Sequence, residues 1–178
     1  GELPALVRPM AQHILFAGGK RLRPVLCVVF GRICGLEHED LLRLGVSVEM
    51  LHAATLLHDD ILDNADTRRG TPAAHTVFGA PQAVLAGDAL LAKALLTVSA
   101  LGDARLTGCI SEAVMYTAAG EVAEIANVRN FGISQEAYLE IITGKTAWML
   151  RAACELGALR AGANDAAVAA AVEFGLSL

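Results

Sequence analysis

Apolar residues recur along most of this chain at the three- and four-residue spacing that is typical of amphipathic helices. Between residues 39 and 63 the recurring positions are Leu41, Leu44, Val48, Leu51 and Leu56. No run alternates apolar and polar residues for long enough to predict a strand, and no internal repeat of short fixed period is visible. The pattern therefore predicts an all-α bundle.

Glycine, proline and capping residues divide this pattern into separate helices. Gly18 and Gly19 end the first helix, Pro24 suits the first turn of the second, and Ser134 and Asn164 are N-cap residues. The predicted helices cover residues 2–16, about 24–34, 39–63, 81–101, 105–128, 134–159 and from 164 onward, with a polar loop at 64–72. No linker-like stretch divides the chain, so we expect a single domain over residues 1–178.

Composition narrows the class of protein. Hydrophobic residues make up 54% of the 178 residues and aromatic residues only 4%, and the mean hydropathy is +0.49. No run of 18 or more apolar residues lacks charged or helix-breaking residues, so we predict no membrane span. The apolar side chains then belong to a core, to an oligomer interface or to the wall of an apolar cavity. The net charge of −5 argues against nucleic-acid binding, which needs a basic surface.

The four cysteines indicate a reducing compartment. They contain no CxxC pair, and Cys27 and Cys34 are seven residues apart on one predicted helix. That spacing is about 10 Å along the helix axis, which is too far for a disulfide. Buried free thiols are the expected state, and they favour a cytoplasmic location. The five histidines show no HExxH spacing, so a zinc protease is not supported.

Residues 52–70 carry the most informative chemistry in the chain. Asp59 and Asp63 are i and i+4 on a predicted helix, Asp60 lies to one side, and Arg68 and Arg69 follow directly. Two like charges at i and i+4 destabilise a bare helix, and a cation between them reverses that effect. Magnesium prefers oxygen ligands and commonly binds one or two carboxylates together with phosphates. The segment therefore favours a magnesium-bridged diphosphate over the alternative of solvated acids at a helix end.

Other basic groups could receive an anion. Lys20 and Arg23 follow the glycine pair at a helix start, where free N–H groups favour anions, although a glycine C-cap followed by solvated bases is the commoner event. His52 falls on the stripe of Asp59, which makes an anion contact plausible. Lys145 and Thr146 follow a glycine within a helix, so a close backbone approach could be needed there, while a lysine that reaches solvent is the default interpretation.

A further set of polar residues has no catalytic assignment. We interpret His58 as structural. Glu121 could be a core acid that positions a lysine or an arginine, Glu124 could equally lie on the surface, and Asp88 could have a similar supporting role.

Taken together, these segments resemble the trans-isoprenyl diphosphate synthases of the polyprenyl synthetase family. The segments in family order are Gly18 to Pro24, His52, the aspartate-rich motif from Asp59 to Asp63, Arg68-Arg69-Gly70, Gly87-Asp88, Gly120-Glu121 and Lys145-Thr146. The resemblance implies an all-α, usually homodimeric enzyme whose isoprenoid-synthase-type helical bundle surrounds a central apolar cavity. It also implies Mg2+ as the cofactor, held by Asp59, Asp60 and Asp63, with Asp59 and Asp63 as the favoured direct ligands.

The resemblance assigns two substrates, an allylic diphosphate and isopentenyl diphosphate. Arg68 and Lys145 would bind the allylic diphosphate, with Thr146 beside them. A second set of side chains would hold isopentenyl diphosphate: Lys20, Arg23, His52 and Arg69. The implied reaction ionises the allylic C–O bond, and the isopentenyl double bond then attacks the allylic cation.

Product length in this family depends on residues just before the aspartate-rich motif, which here are Ala54 and Thr55. Both are small, and the motif lacks a two-residue insertion, so we expect a medium- or long-chain product such as a quinone side-chain precursor. A short-chain synthase that makes a farnesyl or geranylgeranyl product is the nearest alternative.

One departure from the family pattern affects the expected activity. The second aspartate-rich motif is absent from these 178 residues, and the helix from Asn164 resembles the segment that leads to it. We therefore expect C-terminal helices to be missing and the 178-residue chain alone to show little or no turnover. A non-catalytic prenyl-diphosphate-binding subunit stays open as an alternative. A terpene cyclase also stays open, although it has no use for the isopentenyl set of Lys20, Arg23 and Arg69.

Overall fold

Helix α3 is the central element of the bundle, and its neighbours pack on several of its sides. The structure is a computed structural model that describes residues 2–178. The helices are α1 (Arg8–Phe16), α2 (Leu22–Ile33), α3 (Asp40–Leu62), α4 (Ala74–Phe78), α5 (Ala80–Ser99), α6 (Ala104–Ala126), α7 (Gln135–Ile142), α8 (Trp148–Arg160) and α9 (Asp165–Ser177), and a π turn (Thr143–Ala147) joins α7 to α8. Helix α3 packs against α1, α2, α4, α5 and α8. The predicted all-α bundle is confirmed.

The helix starts follow the capping chemistry of the sequence. The side chains of Ser134 and Asn164 accept hydrogen bonds from the backbone N–H groups of Ala137 and Ala167, at 3.1 and 2.9 Å. Each bond satisfies one N–H group that the first turn of a helix leaves without a partner. Both predicted N-caps are therefore confirmed.

Three element predictions need correction. The first helix begins at Arg8 rather than at residue 2, because Pro9 occupies its first turn, where proline is tolerated. The predicted polar loop contains a small antiparallel hairpin of β1 (Thr67–Arg68) and β2 (Thr71–Pro72), followed by the short helix α4. The helix predicted over 134–159 is interrupted by the π turn, which the helical periodicity did not reveal.

The core is built mainly from aliphatic side chains of α3, α5 and α8. Leu44, Val48 and Leu90 have no exposed surface. By length and composition alone, α5 could cross a membrane, which the prediction of no membrane span did not anticipate. In this structure 33% of that span is buried, and the buried apolar side chains of α5 belong to the core cluster.

The cysteines are unpaired thiols throughout the described chain, as predicted. Cys27 is fully buried, and burial raises the pKa of its thiol to about 12.

Candidate active site

A cavity of about 570 Å³ lies between the C-terminal half of α3, helices α5 and α6, and the π turn. Helix α3 lines it with His52, Thr55, Asp59 and Asp63, which share one face because they are three, four or seven residues apart. One end of the cavity carries acidic and basic groups. The remainder is lined mainly by apolar side chains, among them Leu51, Leu91 and Val114.

Three carboxylates gather at the polar end of this cavity. Asp59 and Asp63 come from α3, and Glu121 comes from α6. Burial, together with the negative charges of Glu121 and Asp63, raises the pKa of Asp59 to about 6 against the opposing effect of Lys145. Neighbouring positive charge therefore does not fully compensate these carboxylates. A bound cation would offset both the desolvation of Asp59 and its repulsion by Glu121 and Asp63.

The same carboxylates fit magnesium better than a metal held by protein groups alone. Among residues 2–178, no three histidine, cysteine or acidic side chains are arranged so that they could hold a metal ion by themselves. Magnesium does not need such a cage, because it keeps several waters and binds one or two carboxylates together with phosphate oxygens. Asp59 and Asp63 supply that minimal set.

Asp60 occupies a different position from the other two aspartates of the motif. It is fully buried and does not line the cavity. Its Oδ1 accepts hydrogen bonds from the Nε of Arg68 at 2.7 Å and from the Nη2 of the same guanidinium. The other oxygen, Oδ2, has no hydrogen-bond partner within residues 2–178. The structure therefore brings Asp59 and Asp63 together in the cavity and uses Asp60 to hold Arg68 at its edge.

Lys145 reaches the polar end from the opposite wall. Its Nζ lies 2.9 Å from Glu121 and also donates to Glu124. Burial lowers the pKa of Lys145, but the hydrogen bonds to Glu124 and Glu121 outweigh burial and raise it above its ordinary value. Thr146, the next residue, is exposed and lines the cavity too. The expectation that Glu121 positions a basic side chain is confirmed.

The basic groups of the glycine loop lie in a smaller pocket next to the cavity. Lys20 and Arg69 border this pocket, and Arg23 and His52 border both spaces. Burial, together with the positive charges of Arg23, Arg69, Arg68 and Arg21, lowers the pKa of His52 to about 3. Positive charge is therefore in excess around His52, which is the condition for binding an anion.

The apolar part of the cavity contains the predicted length-determining positions. Ala54 and Thr55 both line the wall. His58, interpreted as structural, packs its ring on α5, where its Nε2 lies 3.0 Å from the carbonyl oxygen of Val84 and 3.5 Å from Asp88. These contacts join α3 to α5 just before the acids.

Two residues that sequence reasoning did not select also shape the site. The guanidinium of Arg21 donates to Glu49 and to the backbone carbonyl of Leu15. In the sequence, the signal that could have identified this pair is Glu49, an acid in the largely apolar helix α3, one turn before His52.

Comparison with known proteins agrees with this geometry. The family model for polyprenyl synthetase matches residues 4–178. The octaprenyl diphosphate synthase of Escherichia coli (strain K12) is 36% identical over 157 residues, which are 88% of this chain and 49% of that protein. The short chain isoprenyl diphosphate synthase of Methanocaldococcus jannaschii is 40% identical over 159 residues, which are 87% of this chain and 48% of that protein.

A solved structure gives the same result for the fold. The polyprenyl synthase from Caulobacter crescentus CB15, complexed with calcium and isoprenyl diphosphate, superposes with a TM-score of 0.95 and 38% sequence identity. The match covers 99% of this chain and 54% of that chain. This chain belongs to the polyprenyl synthetase family, whose members named here are isoprenyl diphosphate synthases. It spans about half the length of the relatives that it matches.

Proposed function

We propose that the protein carrying this chain condenses isopentenyl diphosphate with an allylic diphosphate to make a trans-polyprenyl diphosphate. The observation that carries the proposal is the meeting of two opposite charge imbalances at one end of an apolar cavity. The acids around Asp59 lack a cation, and the bases around His52 lack an anion. Magnesium and the diphosphate groups of two prenyl substrates would supply both missing partners, and a hydrocarbon tail would fill the apolar part of the cavity.

Each substrate has its own group of side chains in this proposal. The allylic diphosphate lies between Asp59, Asp63, Arg68 and Lys145, and its tail enters the apolar part of the cavity. Isopentenyl diphosphate takes the smaller pocket of Lys20, Arg23, His52 and Arg69. The calcium and isoprenyl diphosphate of the Caulobacter crescentus protein support this class of ligand and a divalent cation. Magnesium is our choice of cation because the carboxylate set is small.

The chemistry follows from where positive charge is placed. Bound magnesium, held by Asp59 and Asp63, would withdraw charge from the leaving diphosphate. Arg68 and Lys145 donate hydrogen bonds to the same group, so the charge that develops as the allylic C–O bond breaks is stabilised. The isopentenyl double bond, held nearby, forms the new C–C bond to the allylic carbon. A proton then passes from the adduct to the released diphosphate, and the apolar wall keeps water away from the cation.

Asp60 acts indirectly in this scheme. Its bonds to Arg68 fix the guanidinium at the cavity edge, and its fully buried side chain does not line the cavity. We therefore place Asp59 and Asp63, rather than all three aspartates, at the cation.

For the product we propose a medium or long chain. Ala54 and Thr55 are small and leave the wall open beside the acids. Leu51 is eight positions before Asp59 on α3, which is about 12 Å along the helix axis at 1.5 Å per residue. The lining that α3 gives to the cavity therefore extends at least that far from the acids. Relatives with long-chain and with short-chain names match at similar identity, so product sizing is the deciding measurement.

We also propose that the protein is a cytoplasmic homodimer. Large apolar side chains on α5 and α6 are more than half exposed, namely Leu85, Leu96 and Met115. Exposed apolar side chains of this size favour burial against a second copy. Sedimentation should show a dimer, and Leu85→Glu should shift the population toward monomer.

The test of the main proposal is a condensation assay on the whole protein. Labelled isopentenyl diphosphate, an allylic primer and Mg2+ should give labelled prenyl diphosphates that are five or more carbons longer than the primer. Asp59→Asn should abolish the product, while Asp66→Asn, the same change at an exposed position beyond α3, should leave the rate near that of the unmodified protein. Binding of both substrates without any product would instead favour the non-catalytic subunit.

A further inference from the structure

The basic residues that follow the glycine pair are not equivalent. Arg21 donates from Nη1 to Glu49 and from Nη2 to the carbonyl oxygen of Leu15. Arg21 and Lys20 both border the smaller pocket, but Lys20 is exposed there, and the buried Nε of Arg23 has no hydrogen-bond partner within residues 2–178. The charge of Arg21 is therefore already matched by a hydrogen-bonded carboxylate, while the Arg23 side chain borders both the smaller pocket and the cavity.

The backbone at this point needs an external restraint. Arg21 has a φ of 51° and immediately precedes α2, so a residue with a Cβ occupies the left-handed region. Such residues cost free energy and persist where the surroundings hold them. The Arg21 side chain makes two bonds, one to α1 and one to α3, that could supply the restraint.

The other side of the same loop is held by Arg69. Its Nη1 donates to the carbonyl oxygen of Gly18. A Cβ on Gly19, whose φ is 126°, would lie 2.6 Å from that guanidinium. The loop is thus fixed against the β1–β2 hairpin at one end and against Glu49 at the other, with Lys20 between them.

Glu49 connects this restraint to the pocket. It lies three residues before His52 on α3, so the two side chains are neighbours on one helix face. Its side chain is only 13% exposed, and it borders the same pocket as Lys20, Arg23 and Arg69. A carboxylate in a pocket for anions opposes binding through its charge, so its presence there needs a reason other than ligand contact.

We propose that Arg21 is a positioning residue, which acts with Glu49 to hold the turn that aims Lys20 and Arg23 at the anion and does not bind the anion itself. The inference rests on the proposed function, because the anion in question is the diphosphate of isopentenyl diphosphate. Glu49 is the essential counterpart, since it fixes Arg21 and also prevents that guanidinium from turning into the pocket.

The test is calorimetric binding to the whole protein, with isopentenyl diphosphate and inorganic diphosphate as separate probes. Arg21→Lys keeps the charge but cannot make both bonds, and it should weaken binding of each probe about tenfold through misplacement of Lys20 and Arg23. Glu49→Gln is the decisive variant. It removes a negative charge from an anion pocket, so electrostatics alone would tighten binding, whereas positioning predicts weaker binding.

The controls separate positioning from stability and from the proposed function. Both variants should bind an allylic diphosphate with Mg2+ within about twofold of the unmodified protein, which shows that the fold is intact. The double variant should bind each probe with about the affinity of whichever single variant binds less tightly, because the two residues act as one unit. Tighter binding by Glu49→Gln, or unchanged binding by Arg21→Lys, overturns the positioning role. If the unmodified protein binds inorganic diphosphate but not isopentenyl diphosphate, the proposed substrate is wrong. The role of Arg21 is then tested by the change in affinity for inorganic diphosphate alone.

Discussion

Gly120 and Gly144 meet where α6 crosses the π turn, and a Cβ built on Gly144 would lie 2.8 Å from the Cα of Gly120. Cβ atoms do not approach that closely in proteins, so the contact requires glycine on this side. The close crossing places Lys145, the next residue, beside Glu121 on α6. The position of the lysine in the cavity therefore depends on a contact between two backbones.

Gly144→Ala should destabilise the protein by about 1–3 kcal/mol, because the added methyl overpacks this crossing. It should also weaken binding of an allylic diphosphate, because Lys145 is displaced. Gly108 lies on α6, as Gly120 does, and no described atom is within 4 Å of a Cβ added there. Gly108→Ala should therefore stabilise the protein by about 0.5–1 kcal/mol. Urea denaturation and calorimetry measure both effects, and equal stability of the two variants would disprove the crossing as the cause.

Asp59→Asn should raise the melting temperature of the unliganded protein at neutral pH while it removes magnesium-dependent binding. The pKa of Asp59 is raised to about 6 in the folded state, against about 3.9 in the unfolded chain. The unfolded state therefore loses its proton first, and stability falls as the pH rises from about 4 through 6.

Melting curves at pH 4 and pH 7.5 test whether the Asp59 carboxylate lowers stability as the pH rises. The advantage of Asp59→Asn should be present at pH 7.5 and largely absent at pH 4, and Asp66→Asn should show no such difference. A variant that is less stable than the unmodified protein at pH 7.5 would mean that the Asp59 carboxylate is already compensated without a cation.

Asp60→Ala and Asp63→Ala should fail in different ways. Asp60 is fully buried against Arg68, so its removal leaves the guanidinium without its partner and should cost about 1–3 kcal/mol of unfolding free energy. Asp63 is exposed, so Asp63→Ala should change stability little and weaken magnesium-dependent binding instead. Urea denaturation measures the unfolding free energy of each variant, and titration measures its magnesium-dependent binding. If Asp60→Ala lost binding and Asp63→Ala lost stability, Asp60 rather than Asp63 would lie at the cation.

Sequence periodicity predicted the bundle because long helices such as α6 bury an apolar stripe at helical spacing, and the central helix α3 buries apolar residues on several sides. It could not predict the π turn at residues 143–147, since an extra residue in one turn leaves the flanking helical pattern intact. The β1–β2 hairpin was also missed, because two-residue strands are too short to show alternation.

The candidate site was predictable where the residue type matters more than its partner. Asp59, Asp63 and Lys145 were found from acid spacing, from the basic residues and from the family resemblance, and the structure places them in one cavity. Helical spacing placed Asp60 to one side of Asp59 and Asp63, but it could not predict that Asp60 is fully buried or which side chain is its partner. Arg68 is that partner, and it comes from a hairpin that the sequence pattern did not reveal.

The pair of Asp40 and Arg160 should control stability in acid. Asp40 is buried, and its Oδ2 accepts hydrogen bonds from the Nε and Nη2 of Arg160 at 3.0 and 2.5 Å, which join the start of α3 to the end of α8. The hydrogen bond from Arg160 holds the pKa of Asp40 below its ordinary value. This stabilisation is therefore complete above about pH 4 and is lost as the pH falls through the folded-state pKa.

Asp40→Asn should accordingly lower the unfolding free energy at pH 7, and the deficit should shrink at pH 3. Glu140→Gln, at an exposed acid on α7, should show no deficit at either pH. Urea denaturation at both pH values measures the difference, and a deficit that stays constant with pH would show that the charge of Asp40 is not responsible.

The central claim is that a divalent cation on Asp59 and Asp63 joins the allylic diphosphate to the protein. The most direct measurement is calorimetric titration of the whole protein with an allylic diphosphate, in Mg2+ and again in excess chelator. We expect chelation to weaken binding about 100-fold, or ~2.7 kcal/mol, and we expect Asp59→Asn to bind weakly under both conditions. Equal affinity with and without Mg2+, unchanged in Asp59→Asn, would contradict the account.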